Sequence, residues 1–482
     1  MTNKNEQRSF YITTTIPYVN ADPHIGFALE LVQSDAIARY QRLLGCEVFF
    51  STGTDEYGQK IWEASQKEGK NIQDYVDYYA QKFLDLKDIL NLSYDNFIRT
   101  TSPEHILAAQ EFWQLCDKKG DIYKKIYRGL YCVGCEKFIT EKDLMDGKCS
   151  LHPTKTPEMV EEENYFFRLS NYRKQLLEYL AKDNVILPEW RRIEAIDFVS
   201  EGMEDFSISR DKKRFSWGIP IPADDSQVMY VWFGAFINYI STLGWPDSHG
   251  AYEKFWVQGE KVQTAGKDMV KFQSVMWQGM LMSAGLPTTD SIVYHGFITG
   301  EGGIKMSKSI GNVINPNEIV KEYGTDALRY FLLREISPFE DSPFTMERFK
   351  DAYNANLANG LGNLASRILT LSEKYLDKCP EIPEHSTPQE FKDHLNKFEI
   401  RKATDFIWSK IGELDELIQK EEPFKVVKVD LEKGKQMISE LVVKLYTIAR
   451  MLNSIMPETN VTLKKLIKEN KKPEAPLFLR KD

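Results

Sequence analysis

Residues 9–51 read SFYITTTIPYVNADPHIGFALELVQSDAIARYQRLLGCEVFFS, and this stretch decides the fold. Its first part, residues 9–15, is β-branched and aromatic, as a buried strand is. Ile16 to Ala21 reads as a loop. Asp22-Pro23 reads as a helix start, with Asp22 as N-cap and Pro23 in the first helical position. The apolar pattern then runs from about His24 to Leu44 and stops at Gly45. A second strand follows at residues 47–51. Strand, helix, strand in that order opens a parallel, doubly wound α/β sheet of Rossmann-like type.

Outward from that unit the rhythm changes. The sheet is expected to fill residues 1–114 and to resume over 216–345. Residues 115–215 interrupt it with a cysteine cluster, the acidic run Glu161-Glu162-Glu163 and the aromatic Tyr165-Phe166-Phe167, and so read as an insertion. Val293-Tyr294 reads as the end of another central strand. From residue 346 to 482 the periodicity is helical, which predicts an α-helical bundle domain, with a Pro-rich loop at residues 380–389. The last stretch carries Lys464, Lys465, Lys468, Lys471, Lys472, Arg480 and Lys481, and reads as a solvated tail.

The 482 residues are 42% hydrophobic and 12% aromatic, which fits a globular chain. No apolar run is long enough to cross a membrane, and the polar start carries no apolar signal core, so a cytoplasmic protein is expected. The net charge of −9 argues against a general nucleic-acid coat protein, though not against a local RNA patch. Six cysteines, three of them clustered, do not make a disulfide framework. Cys132-Val133-Gly134-Cys135 and Cys149-Ser150-Leu151-His152 have knuckle spacing. Four soft ligands in that pattern fit a structural, tetrahedral Zn²⁺ better than a redox pair.

Two further constellations carry chemistry. Pro23-His24-Ile25-Gly26-Phe27 stands at a strand-to-helix turn, where free backbone N–H groups and the helix dipole favour phosphate. Lys305-Met306-Ser307-Lys308-Ser309 is a glycine-flanked loop with two cations and two hydroxyls, suited to a mobile triphosphate clamp.

Together these two segments resemble the signature motifs of the class I aminoacyl-tRNA synthetases. Residues 13–20, 53–58, 207–210, 230–233 and 359–367 resemble the methionyl family, and the likeness runs from about Phe10 to Pro457. It implies activation of L-methionine with Mg²⁺-bound ATP, followed by transfer to the 3′ end of tRNA(Met). His24, Gly26, Lys305 and Lys308 would then be catalytic. Pro23, Glu30, Gly266, Asp268, His295, Gly296, Met306, Ser307 and Ser309 would complete the ATP site. Asp55 would hold the substrate ammonium. Ile16, Tyr18, Trp232, Phe236, Tyr239, Gln273 and Trp277 would line the methionine site; of these, Trp232, Phe236 and Tyr239 are spaced as one helix face. Asn359, Asn363 and Arg367, also at helical spacing, would read the anticodon with Phe424. No appended dimerising domain is evident, so a monomer is expected.

The chain departs from the family pattern at Phe27, Tyr57, Gly234, Gln273 and Phe424. These leave two other readings open. One is an adenylate-forming enzyme with another amino acid or a non-tRNA acceptor. The other is a catalytically dead tRNA-binding module.

Overall fold

A computed structural model describes residues 7–133, 137–139, 141–150, 156–214, 216–304, 306, 314–383 and 387–481. The opening motif folds as strand β1 (Ser9–Thr13), helix α1 (Ile25–Leu43) and strand β2 (Glu47–Thr54). β1 pairs in parallel with β2, with Phe10 opposite Val48 and Thr13 opposite Ser51. β2 pairs in parallel with β3 (Asn96–Arg99).

The helix start differs from the sequence expectation. Asp22 and Pro23 lie ahead of the helix, and His24 is its N-cap. One reason is local and one is not: the His24 side chain accepts from the Gly26 N–H, while Asp22 accepts from the distant Lys82 ammonium at 2.6 Å.

After β3 the chain leaves the parallel sheet. β4 (Ile122–Cys132), β5 (Lys137–Ile139), β6 (Glu158–Phe167) and β8 (Phe206–Ser207) form an antiparallel sheet in the order β8-β6-β4-β5. Between β6 and β8, the short β7 (Ile186–Leu187) pairs in parallel with β10 (Ser291–His295). Part of the stretch read as an insertion is therefore an edge of the main sheet. With β9 (Glu260–Gly266) that sheet has six strands in the order β3-β2-β1-β9-β10-β7. β1 lies between β2 and β9, so the strand order reverses there. In open parallel sheets, ligands bind beyond the strand C-termini at such a reversal. Thr13 and Gly266 end these two strands.

Backbone contacts divide the chain into two units. The first comprises residues 1–23, 47–85 and 94–294, with the sheet and its antiparallel excursion. Its core is aromatic and centres on Tyr11, Phe112, Trp113, Phe236, Trp256 and Trp277.

The second unit comprises residues 24–46, 86–93 and 295–482. Its helical part runs through α2 (Asn363–Tyr375), α3 (Ile400–Glu421), α4 (Pro423–Val429), α5 (Leu431–Ile455) and α6 (Pro457–Glu469). A fully buried ion pair ties it together. Arg329 meets Asp35 of α1 at 2.7 Å and donates to the carbonyls of Ser454, Ile455 and Leu90. The basic stretch at the end is largely solvated, as expected, but it is not a loose tail. Lys464, Lys465 and Lys468 are on helix α6. Beyond it, Tyr353 Oη donates to Leu479 O, and Lys481 N to Asn354 Oδ1, both at 2.9 Å.

Candidate active site

The loop after β1 continues the sheet pairing past the strand end. Tyr18 forms a parallel bridge with Asp55; Asp55 N donates to Pro17 O at 2.9 Å and Val19 N to Asp55 O at 3.3 Å. This sets Tyr18 and Asp55 side by side at the reversal, with Asp55 6% exposed and Ile16 half-buried. The next residue, Glu56, holds the turn in place. It is fully buried and accepts from Arg99 Nε at 2.6 Å, Arg99 Nη2 at 2.9 Å and Thr54 Oγ1 at 2.8 Å, and from Thr101. A buried carboxylate needs such a full set of donors. Nothing in the sequence alone singles out Glu56, because its partners come from a separate strand and turn.

Tyr57, one of the departures, packs against Trp217 with ring centroids 5.2 Å apart. Burial, then the carboxylates of Glu56 and Asp55, push its phenol up to about 12. It is a neutral, apolar wall at physiological pH.

The aromatic group assembles, but not as one continuous helix. Trp232 and Phe236 lie on the helix Val231–Phe236, and Tyr239 lies on the separate short helix Asn238–Ser241. Phe236 and Tyr239 approach the buried Trp277 with centroids 5.9 and 5.8 Å away. Trp232 stacks on Phe272 at 4.2 Å. Phe272 went unnoticed in the sequence because it sits on a π-helical turn, Phe272–Met276, where α-helix spacing rules fail.

Gln273, on the same turn, is fully buried and its Oε1 accepts from Tyr239 Oη at 3.1 Å. Its Nε2 and the Trp277 Nε1 are buried donors with no partner among the described residues. Gly234 also has a steric reason: a Cβ there would meet Ile219 Cδ1 at 3.0 Å. Gly266 ends β9, and Asp268 stands exposed on the turn Lys267–Met269 that follows.

In the second unit, His24 Nδ1 accepts from Gly26 N at 3.1 Å. In the neutral imidazole that puts the proton on Nε2. Gly26 makes room for the ring, since a Cβ would meet His24 Cε1 at 2.9 Å. Pro23 and Phe27 are half-buried. Glu30 and His295 are brought together: His295 Nε2 lies 2.8 Å from Glu30 Oε2 and Nδ1 2.8 Å from Gly296 O, both nearly buried. Both ring nitrogens of His295 therefore face oxygen atoms. Of the lysine-rich loop, Met306 is half-buried, and Lys305, Ser307, Lys308 and Ser309 lie outside the described residues.

Arg367 of α2 and Phe424 of α4 line one cleft of about 350 Å³, with Ser366, Thr370, Leu371 and Ile418. Arg367 is oriented by an ion pair with Asp415. Asn363 is exposed one turn earlier on α2. Asn359 is exposed too, but it sits on the π-helix Tyr353–Gly362, so the even spacing expected across all three positions holds only for Asn363 and Arg367.

Cys132 and Cys149 are buried in one small cluster with Ile139. Cys135 and His152 lie outside the described residues, and among those described no group of three metal-binding side chains is found.

The family description "tRNA synthetases class I (M)" matches residues 10–152 and 139–369. A methionine–tRNA ligase of Caldanaerobacter subterraneus is 39% identical over 470 residues, covering 94% of this chain and 73% of that protein. One from Thermotoga maritima is 38% identical over 96% of this chain and 76% of its own. The solved Mycobacterium tuberculosis methionyl-tRNA synthetase in complex with methionyl-adenylate superposes with a TM-score of 0.88 at 35% identity, covering 95% of this chain and 93% of that one. The chain belongs to the class I aminoacyl-tRNA synthetases, in their methionyl family.

Proposed function

We propose that this chain carries out both half-reactions of a methionine–tRNA ligase through the residues described above. It is an ATP-dependent ligase that joins methionine to tRNA. The observation that supports the residue assignment best is the Tyr18–Asp55 bridge at the strand reversal, with a buried aromatic wall in the same unit.

Asp55 would hold the substrate ammonium and leave its carboxylate free to attack the α-phosphorus of ATP. The bond to pyrophosphate breaks as the acyl–phosphate bond forms. The Nε2–H of His24 would donate to a phosphate oxygen as charge builds, and Lys305 and Lys308 would neutralise the leaving pyrophosphate. Mg²⁺ bound with ATP would supply further charge neutralisation. The 3′-terminal hydroxyl of the tRNA then attacks the adenylate carbonyl and expels AMP. No protein nucleophile is required, so the protein contributes position and electrostatics.

Tyr18, Trp232, Phe236, Tyr239 and Trp277 would enclose the methionine side chain, since aromatic faces suit a polarizable thioether. The cleft of Arg367 and Phe424, with the exposed Asn363, would receive anticodon bases by stacking and hydrogen bonding. Cys132 and Cys149, with Cys135 and His152, would hold a structural Zn²⁺. The pairing of the first two in one buried cluster supports that reading.

The test is ATP–pyrophosphate exchange with each of the twenty amino acids, followed by charging of tRNA(Met). Exchange that requires methionine and collapses in Asp55→Ala supports the assignment. Exchange with another amino acid, or none, would return the altered-substrate or inactive reading.

A further inference from the structure

The basic stretch near the end of the chain has a placement that the active site does not use. Lys464 and Lys468 are one turn apart on α6, and Tyr446 and Arg450 are one turn apart on α5. The Lys464 ammonium lies 5.8 Å from the centre of the Tyr446 ring. Among the described residues no carboxylate pairs with Lys464 or Lys468, whereas Lys402, Lys410 and Lys425 of the same unit each pair with a glutamate. Burial, then the charges of Arg450 and Lys468, hold the Lys464 ammonium below its ordinary range. Like charges held together on neighbouring turns are unfavourable in the isolated protein. On a chain of net charge −9, a polyanion that brings its own negative charge would reverse that repulsion.

The substrate assigned above includes a polyanion, and this step rests on that assignment. We propose that Tyr446, Arg450, Lys464 and Lys468 bind the sugar-phosphate backbone of the tRNA, at a surface that shares no residue with the cleft of Arg367 and Phe424. The three cations meet phosphates, and the tyrosine packs against ribose. Such contacts position the RNA without reading its sequence.

The experiment measures binding of a tRNA(Met) transcript to the full chain at several salt concentrations. Each lost phosphate contact reduces the slope of log K against log salt by about 0.7–0.9. The triple variant Arg450→Gln, Lys464→Gln, Lys468→Gln is therefore expected to lose about two to three units of slope. Methionine-dependent pyrophosphate exchange should be unchanged, because that step needs no tRNA. Lys174→Gln, at a lysine 87% exposed elsewhere, is expected to leave the slope alone. The single variant Lys468→Gln, at an exposed position, gives a second reading should the triple variant fold poorly, with a loss of about one unit. An unchanged slope in both variants, with exchange intact, overturns the backbone site and leaves the ligase reading standing. Absence of methionine-dependent exchange in the unmodified chain overturns the ligase reading itself.

Discussion

At the scale of single residues, His24 combines two tasks that substitution can separate. Its Nδ1 caps α1, and its Nε2–H is the donor proposed for phosphate. Asparagine is a good N-cap but cannot reproduce that donor. His24→Asn is thus expected to keep thermal stability within about 1 kcal/mol and to lose about 10²–10³ in the rate of adenylate formation. His24→Ala should lose both. Equal melting of the two variants would show that the cap contributes little. Gly234 makes a second case. The methionyl pattern has an acidic residue there, but a Cβ would crowd the Ile219 Cδ1 at 3.0 Å. Gly234→Asp is expected to cost about 1–3 kcal/mol by crowding. It should also raise KM for methionine in exchange assays, since Trp232 and Phe236 share that helix. The glycine is legible in the sequence only as a departure; Ile219, which explains it, comes from another element.

At the scale of elements, Arg329 joins α1 to the end of α5. Burial by itself raises the Asp35 carboxyl, but Arg329, Arg39 and the Ser93 hydroxyl outweigh it and hold the carboxyl below the ordinary carboxylate range. The stabilisation from Asp35 is therefore fully present above about pH 4, the unfolded value, and is lost as the pH falls through the lower folded value. Arg329→Met removes one of the two cations beside the buried Asp35 carboxylate and leaves Arg39 as the other, so a loss of up to about 3–5 kcal/mol is expected. Urea unfolding at pH 7 should show that loss, and unfolding at pH 3 a smaller one. Equal losses at both would mean that packing rather than charge dominates. The antiparallel excursion poses a different question. Cys132 and Cys149 meet in one cluster, so the purified chain is expected to hold about one zinc, and Cys132→Ser to lose it, as read by atomic absorption. A metal-free unmodified chain would reduce the pair to ordinary buried cysteines.

At the scale of the whole molecule, the proposed assignment gives the amino acid and the anticodon to different units. The aromatic group proposed for methionine is in the first unit and the Arg367–Phe424 cleft in the second. Phe424→Ala should raise KM for tRNA by about 5- to 150-fold, the equivalent of one lost stacking contact. Methionine-dependent exchange should be unaffected. A parallel loss of exchange would mean that the substitution disturbs more than the cleft.

The strand–helix–strand opening, the later return to α/β pattern and the helical end were all readable from the chain, because each rests on local periodicity and local turn chemistry. The candidate residues came instead from the resemblance to the methionyl family, carried by short motifs in a known order. What the chain could not disclose was whatever depends on two distant segments meeting. That Glu56 is satisfied by Arg99 and Thr101, that Phe272 stacks on Trp232, that β7 joins the main sheet and that Arg329 lies under α1 all follow from tertiary packing. The π-helical turns belong with these, since they displaced both Phe272 and Asn359 from the positions that α-helical spacing assigns. Local sequence determines which elements form because their hydrogen bonds and apolar faces are set within a few residues. Burial and the pairing of buried polar groups are settled only when elements pack, because the free energy of a buried carboxylate depends on whichever donors the fold brings to it.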